Sequence, residues 1–478
     1  MNITKMFEFT NIDYLEQEND DLIDNWPDSD HIHVNYGYIS SFLRIILVLL
    51  CRLGFVLVQL GTIPVENVYR IIFYNIFDIG NTVLSYLLLG YMISFGKSSF
   101  NGWVGYSSDF SYNLDMAIFG LCASLIGTGQ ISTFLAGRIH LVCSMFTTFA
   151  YTACFQPFLM HWIWNQQGWM KKAIFLDTEV SVQDFGGNLV VHLSSSVIGA
   201  IGSIFLGRRL IKVKDVDEHS LSREHSGNTL TGQIFILLGY IAFTLPSPDF
   251  EDNREPKNYI ANIMLNNVVA FATGILIVSF LHLMIFRKIY NYWTIVRCFQ
   301  GGLAGTIAVA AAVELYSHLE SIVVAAVVSV LFFFVSILIH NSALEDNSNL
   351  IASHLIGSFL ASFMCPIVAH RANLDSNKKI HIFWQFICIL VVLAVTAVFA
   401  WLIFLIFDLA KLLRNKEEVL NHRRATILQK FLPKKGTLER LFMIDSKTDH
   451  IVPGELNRRQ YVIDKTTNTD ESRGSVSI

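Results

Sequence analysis

The sequence Asp-Phe-Gly-Gly-Asn-Leu-Val-Val-His-Leu occupies residues 184–193, and Asp-Asn-Ser-Asn-Leu-Ile-Ala-Ser-His-Leu occupies residues 346–355. In each stretch an aspartate stands eight residues before a histidine, at the start of an apolar segment. Eight helical residues rise about 12 Å, and half a hydrocarbon core is about 15 Å thick. An aspartate at the membrane edge therefore places its histidine near the bilayer midplane. We also expect each aspartate to cap its helix.

The composition around these stretches is that of a membrane protein. Hydrophobic residues make up 53% of the 478 residues and charged residues only 15%, whereas soluble domains carry about 25% charged residues. The formal net charge of −4 shows no basic excess for a phosphate backbone. The composition argues against a cytosolic enzyme, a disordered scaffold and a nucleic-acid binder, and it makes the lipid bilayer the expected surrounding.

Eleven segments have the length of about 20 mostly apolar residues that crosses a bilayer. They predict an all-α polytopic membrane protein whose transmembrane domain covers residues 40–410. The expected spans are 40–62, 74–96, 114–136, 140–162, 185–206, 230–247, 260–286, 296–315, 319–340, 349–369 and 382–410.

The two histidine stretches divide this domain into halves. The first opens the fifth span and the second opens the tenth, so the two histidines approach the midplane from opposite faces. This is the pattern of an inverted repeat of five plus five spans, followed by a last helix, with a site at the interface of the repeats.

The charges between the spans predict the orientation, because cytoplasmic connections carry an excess of Lys and Arg. An odd number of spans puts the two termini on opposite sides. Basic residues concentrate in the 207–229 connection and after residue 410, whereas the 247–259 connection is acidic. We therefore expect a multi-pass cell-membrane protein with an extracellular tail at 1–39 and a cytoplasmic tail at 411–478.

Other polar and reactive residues in the spans predict no catalytic or metal site. The seven cysteines lie in or beside apolar runs and are expected to be small buried side chains. Histidine-box enzymes use several histidines at three- or four-residue spacing, which the spans lack, so no metal or other cofactor is expected. Arg52, in the middle of the first span, is expected to face a neighbouring subunit or to extend its charge to the membrane surface.

Further motifs occur in a fixed order along the chain. They are Phe77-Asp78, Ala136-Gly137-Arg138-Ile139, His161-Trp162-Ile163-Trp164, Asn266 before Val268-Val269-Ala270, and Gly301-Gly302-Leu303-Ala304-Gly305. Together with the histidine stretches they make residues 40–410 resemble the ammonium transporter and Rhesus glycoprotein superfamily, closer to its ammonium transporter branch. The resemblance implies a homotrimer with one pore per subunit, which carries ammonium or ammonia and takes methylammonium as a further substrate.

The same resemblance implies a substrate-binding site at the outer mouth of the pore. Trp164 matches the aromatic residue that holds the cation, and a cation–π contact of this kind is worth about 0.5–2 kcal/mol. Ser247 matches the hydroxyl that accepts a hydrogen bond from the same ion. Asp184 matches the carboxylate that supports the site without necessarily touching the ion.

For the pore itself, the resemblance makes His192 and His354 the twin histidines and Phe243 the inner of two stacked phenylalanines. The outer phenylalanine of that pair is replaced, on this alignment, by Ala123. An altered outer gate leaves two functions open, a transporter or channel and a non-conducting ammonium sensor or regulatory subunit. An intramembrane enzyme comes third, because the spans carry no nucleophile–base set.

Overall fold

The computed structural model describes residues 29–62, 68–99, 101–106, 113–207, 223–246, 256–286, 292–340, 342, 344, 346, 348–369 and 377–415. Most of the two predicted tails and the predicted site residue Ser247 lie outside these residues. All statements about the number of elements below refer to the described part of the chain.

Within this part of the chain the fold is a bundle of eleven helices, which confirms the predicted fold class. Two helices contain π-helical turns in their middle, at Tyr86–Gly90 and Tyr151–Phe155, and two begin with one. The helices are α1 Ser29–Thr62, α2 Val68–Phe95, α3 Leu114–Leu135, α4 141–163, α5 Asn188–Leu206, α6 Arg223–Phe243, α7 Pro256–Phe286, α8 Tyr292–Ala310, α9 His318–His340, α10 Ile351–Val368 and α11 Lys378–Leu409.

Length and apolar composition alone qualify eight of these helices as membrane spans, and α6 and α8 contain shorter apolar stretches. Helix α6 was expected at 230–247, but it begins at Arg223 and ends at Phe243. Its end is a turn in which Leu245 N donates to Ala242 O, just before Pro246, a residue that cannot continue a helix. Helix α8 ends at Ala310 rather than 315, because the following residues form tight turns.

Two short β-hairpins, which the all-helical prediction did not include, lie between helices. Strand β1 (Lys97–Ser99) pairs antiparallel with β2 (Val104–Tyr106), between α2 and α3. Strand β3 (Ala173–Phe175) pairs antiparallel with β4 (Thr178–Val180), between α4 and α5.

Glycines let neighbouring helices approach closely at two crossings. A Cβ added to Gly54 of α1 would lie 2.5 Å from the carbonyl oxygen of Gly232 in α6. A Cβ on Gly274 of α7 would lie 2.1 Å from the carbonyl oxygen of Gly301 in α8. No side chain fits at either crossing, so backbone contacts set the spacing of these helix pairs.

The expectations for Arg52 and for the cysteines need correction. Arg52 points into the bundle, where it pairs with Asp78 of α2 and donates to Ser132 Oγ of α3 at 3.0 Å. The ion pair within the subunit compensates the cost of burying the charge, so Arg52 neither faces a neighbour nor reaches the membrane surface. Five of the seven cysteines are buried, but Cys298 is half-buried and Cys154 is exposed.

Candidate functional site

The aspartates of the two histidine stretches cap α5 and α10, as predicted. Asp184 accepts hydrogen bonds from Leu189 N at 2.9 Å and Val190 N at 3.2 Å. Asp346 accepts them from the N–H groups of residues 350 and 351 at 2.9 and 2.6 Å. Each carboxylate thus satisfies backbone donors that a helix start leaves unpaired.

The residue three positions after each aspartate has a left-handed backbone. Gly187 has φ +76° and Asn349 has φ +53°, and glycine and asparagine are the residues that tolerate this region best. At Gly187 space is also restricted, since a Cβ would lie 3.2 Å from Phe243 Cε1 and 3.3 Å from Trp164 Cζ2. These turns let each helix begin with a π-helical segment, Asn188–Leu193 in α5 and Ile351–Ile356 in α10.

The π-helical segments carry the two histidines and bring them together in the bundle. The ring centroids of His192 and His354 lie 5.2 Å apart with the planes at 65°. Each residue is only 3% exposed. Among the residues that the structure describes, no cluster of three or more His, Cys, Asp or Glu could hold a metal ion.

Two residues that the sequence reasoning missed join the histidine pair, Gln130 of α3 and Tyr240 of α6. The Gln130 side-chain nitrogen lies 2.8 Å from His192 Nδ1 and 3.2 Å from Tyr240 Oη. Tyr240 Oη lies 2.6 Å from His354 Nε2, and the Tyr240 ring centroid lies 4.9 Å from that of His192. Both lie inside predicted spans, and a search for polar residues there, which need a partner in an apolar surrounding, could have found both.

An aromatic cluster lies on one side of the histidines and contains Trp164, Phe119 and Phe243. The rings of Phe119 and Phe243 stack at 5.1 Å between centroids with planes 3° apart. Trp164 lies 4.7 Å from Phe119 and 6.3 Å from Phe243, and its Nε1 donates to the carbonyl oxygen of Asp184 at 2.8 Å.

The interpretation of Ala123 as the outer member of the stacked pair does not fit this geometry. Ala123 is fully buried, and its carbonyl oxygen accepts a hydrogen bond from Gln156 Nε2 at 3.2 Å. Phe119, one helical turn earlier in α3, supplies the ring that stacks on Phe243. The ring stacked on Phe243 is therefore present in α3, one helical turn before Ala123.

A buried arginine, Arg44, lies beside the cluster. The guanidinium carbon of Arg44 in α1 is 5.2 Å from the centroid of the Phe119 ring, and Arg44 Nη2 donates to the carbonyl oxygen of Leu245. Arg44 was not among the site residues predicted from the sequence. Its contact places a guanidinium group beside the aromatic cluster.

Two cavities flank the histidine pair. The first, here called the aromatic-side cavity, is lined by Gly186, His192, Tyr240, Phe243, Thr244, Thr306, Ile307 and Ala310. The second, the amide-side cavity, is lined by Phe55, Val58, Thr133, Gln233, Ile236, Tyr240, Gln300, Leu303, Ser348, Leu350, Ser353 and His354. Each histidine lines one cavity, and Tyr240 lines both.

Burial shifts the pKa values of the two capping aspartates and of Lys171, which lies in the loop before α5. It raises the pKa of Asp184 to about 7, against the opposing effect of backbone hydrogen bonds and of Lys171. It raises the pKa of Asp346 to about 6. Burial also lowers the pKa of Lys171, which Glu314 and Asp184 partly offset.

The structure therefore gathers five of the seven sequence-predicted site residues in one region. His192 and His354 are adjacent, and Phe243 and Trp164 belong to the aromatic cluster. Asp184 contacts both groups: its carboxylate caps α5, the helix that carries His192, and its carbonyl oxygen accepts the hydrogen bond from Trp164. Ala123 is buried elsewhere in α3, and Ser247 lies outside the described residues.

Comparison with known proteins supplies the context for this geometry. The model of the Ammonium Transporter Family matches residues 40–424. The chain is 26% identical over 420 residues to "Putative ammonium transporter 1" of Caenorhabditis elegans, covering 81% of this chain and 76% of that protein. It is 23% identical to "Ammonium transporter 3" of Dictyostelium discoideum, covering 65% and 71%.

Solved structures share the fold. A "Sensor Amt Protein" superposes with a TM-score of 0.70 at 19% identity, covering 81% of this chain and 97% of the other. Saccharomyces cerevisiae Mep2 superposes with a TM-score of 0.65 at 15% identity, covering 79% and 86%. At these identities the likeness establishes the eleven-helix fold.

Proposed function

The chain belongs to the ammonium transporter family, and from this premise we propose that it moves ammonium or ammonia across the cell membrane along the path between its two cavities. Members of this family are transporters rather than enzymes. The observation that carries the proposal is the adjacency of a buried histidine pair, one ring on each cavity, to an aromatic cluster.

The aromatic cluster is proposed as the recruitment site for the cation. The Trp164 ring offers a face for a cation–π contact, and its orientation is fixed by the hydrogen bond to Asp184. The Asp184 carboxylate is turned to the start of α5, so it supports the site electrostatically and holds its backbone in place. Ser247 is proposed to accept a hydrogen bond from the ion.

Past the stacked rings, the path favours a neutral species. A bare ammonium ion in an apolar interior would carry a large desolvation cost. Transfer of its proton to water on the aromatic side leaves ammonia, which can accept a hydrogen bond from one neutral imidazole and donate one to the other. Potassium has no proton to release, and this difference gives the selectivity.

The same proposal includes the orientation and the assembly. We place the aromatic-side cavity and the N-terminus outside, with the C-terminus in the cytoplasm, on the charge distribution between the spans. We propose a homotrimer in which every subunit has its own pore, and methylammonium as a second substrate.

Electrophysiology on full-length protein in planar bilayers or supported vesicles tests this function. We expect a saturable current or pH change on addition of ammonium, and its loss in His192→Ala. His282→Ala is the matched control, because His282 is also buried but lies in α7 beside Thr294. Wild-type vesicles that behave as empty vesicles would refute transport.

A sensor is the second candidate function, since one neighbour in fold is the "Sensor Amt Protein". In that case the protein would bind ammonium without flux, and deletion of residues 411–478 would abolish a signalling response in cells while leaving binding intact. Ligand-dependent thermal stabilisation in detergent, measured beside the vesicle assay, separates the two functions.

A further inference from the structure

Tyr240 occupies the boundary between the two cavities. It is 3% exposed, it lines both cavities, and its hydroxyl lies between an amide from α3 and a histidine from α10. Its ring stands edge-on to His192 at 4.9 Å. A small molecule that moves from one cavity to the other must therefore pass this side chain.

The hydrogen bonds around Tyr240 determine which nitrogen of each imidazole carries the proton. The Gln130 amide nitrogen has two hydrogens and donates to His192 Nδ1 and to Tyr240 Oη. His192 Nδ1 is thus an acceptor, and in the neutral ring Nε2 carries the proton. In this orientation of the amide, Gln130 Oε1 faces the hydroxyl of Ser195, which also lies 2.5 Å from the carbonyl oxygen of Val191.

The second imidazole takes the opposite tautomer. Tyr240 Oη already accepts from Gln130, so its own hydrogen points to His354 Nε2, which must be unprotonated. His354 Nδ1 then carries the proton and donates to Ser353 Oγ at 2.7 Å. Ser353 Oγ in turn donates to the Asn349 carbonyl oxygen at 2.8 Å, so every group in the chain has a consistent role.

We propose that Tyr240 is a positioning and selectivity residue, which holds His354 in the Nδ1–H tautomer and closes the path between the two cavities. Each passage then requires the Tyr240–His354 hydrogen bond to open and re-form. The part about passage rests on the proposed function, whereas the tautomer assignment does not.

A tyrosine at this position also limits the size of the transported molecule. The hydroxyl is held from both sides, by Gln130 and by His354, and its ring packs on His192. A displacement large enough for ammonia is smaller than one that admits a methylated amine. Loss of the hydroxyl should therefore relax discrimination against methylammonium as well as speed passage.

The test combines solid-state ¹⁵N NMR of histidine-labelled protein with uptake into vesicles. In wild type we expect His354, assigned by comparison with His354→Ala, to show one protonated Nδ1 and one unprotonated Nε2. In Tyr240→Phe we expect a mixture of tautomers. We expect uptake to rise roughly two- to tenfold, because passage no longer requires one buried hydrogen bond to open. The ratio of methylammonium uptake to ammonium uptake should rise as well.

Tyr151→Phe is the matched control. Tyr151 is fully buried in α4, and its hydroxyl bonds to Ser194 Oγ of α5 at 2.9 Å without touching either histidine. This variant should leave the His354 tautomer and the amine ratio unchanged. An unchanged tautomer in Tyr240→Phe, or an unchanged rate and amine ratio, overturns the proposal.

Gln130→Met provides a second variant in case Tyr240→Phe does not fold. It removes the donor to His192 Nδ1, so the His192 resonances should show mixed tautomers while the hydroxyl of Tyr240 still donates to His354 Nε2. Loss of the His354 assignment in this variant, with His192 unchanged, would contradict the proposed arrangement. If wild type fails to transport, the NMR result still decides the tautomers, and the transport proposal fails separately.

Discussion

The two halves of the molecule hold their histidines in the same backbone arrangement, here called the frame, but bond them to different partners. Each has a capping aspartate, a left-handed residue three positions later, a π-helical turn and a histidine. The histidine of the first half is held by the amide of Gln130, whereas that of the second is held by the hydroxyls of Tyr240 and Ser353.

The surroundings of the two histidines differ as well. His192 lines a cavity that contains Phe243 and two threonines, whereas His354 lines a cavity that contains the side chains of two glutamines and two serines together with five apolar residues. The frame and the partner Ser353 come from the repeated stretches themselves. The other two partners come from elsewhere: Gln130 from α3, which precedes both stretches, and Tyr240 from α6, which lies between them. A local repeat can thus place two histidines in equivalent positions, while side chains from other helices help to determine which nitrogen of each imidazole carries the proton.

The shared frame predicts the largest effect. Asp184→Ala and Asp346→Ala should each lower the free energy of unfolding by about 2–5 kcal/mol, because each leaves two backbone N–H groups without an acceptor. The asparagine variants keep one acceptor oxygen and should recover about half of the loss. Denaturant unfolding in detergent measures both pairs.

If one alanine variant is strongly destabilised and the other is not, the two caps do not contribute equally to stability. Ser181→Ala serves as the control, since Ser181 lies in the same loop but caps no helix. Its unfolding should match that of wild type.

The left-handed residues predict an intermediate and unequal effect. Exchanging them between the halves gives Gly187→Asn and Asn349→Gly, which both keep a residue that tolerates the backbone. Gly187→Asn should cost about 1–3 kcal/mol through overpacking, because its Cβ would press on Val191, Phe243 and Trp164.

Asn349→Gly should cost less, about 1 kcal/mol, since it loses only the hydrogen bond from Asn349 Nδ2 to Gln300 Oε1 at 2.6 Å. Thermal unfolding of the two variants side by side measures the difference. If the two variants lose the same amount of stability, the close packing of Phe243 and Trp164 against Gly187 does not restrict the side chain at this position.

The sequence predicted the frame well because the frame is local. The eight-residue spacing from aspartate to histidine and the apolar length of the segments determine the caps and the helices. The partners of the histidines were not predictable in this way, because Gln130 and Tyr240 approach from 62 and 114 residues away in sequence. The same distance explains the error at residue 123, since which turn of α3 meets Phe243 depends on packing and not on the motif.

The smallest expected effect is a difference in pH dependence between the two caps. Burial raises the pKa of Asp184 from 3.8 to about 7 and that of Asp346 from 3.8 to about 6. A carboxyl with a raised pKa binds its proton more tightly in the folded protein, so its contribution to stability is complete below pH 3.8 and is lost as pH rises to the folded-state value.

The loss should therefore continue to about pH 7 for Asp184 but end near pH 6 for Asp346. Unfolding temperatures measured from pH 5 to 8 should fall in wild type between pH 6 and 7, and Asp184→Asn should remove that fall. Asp346→Asn should leave most of it in place, because a carboxyl with a pKa of about 6 is already half ionised at pH 6 and largely ionised by pH 7. If Asp346→Asn removes the fall instead, the assignment of the two caps is reversed, and the carboxylate beside Trp164 is charged throughout the neutral range.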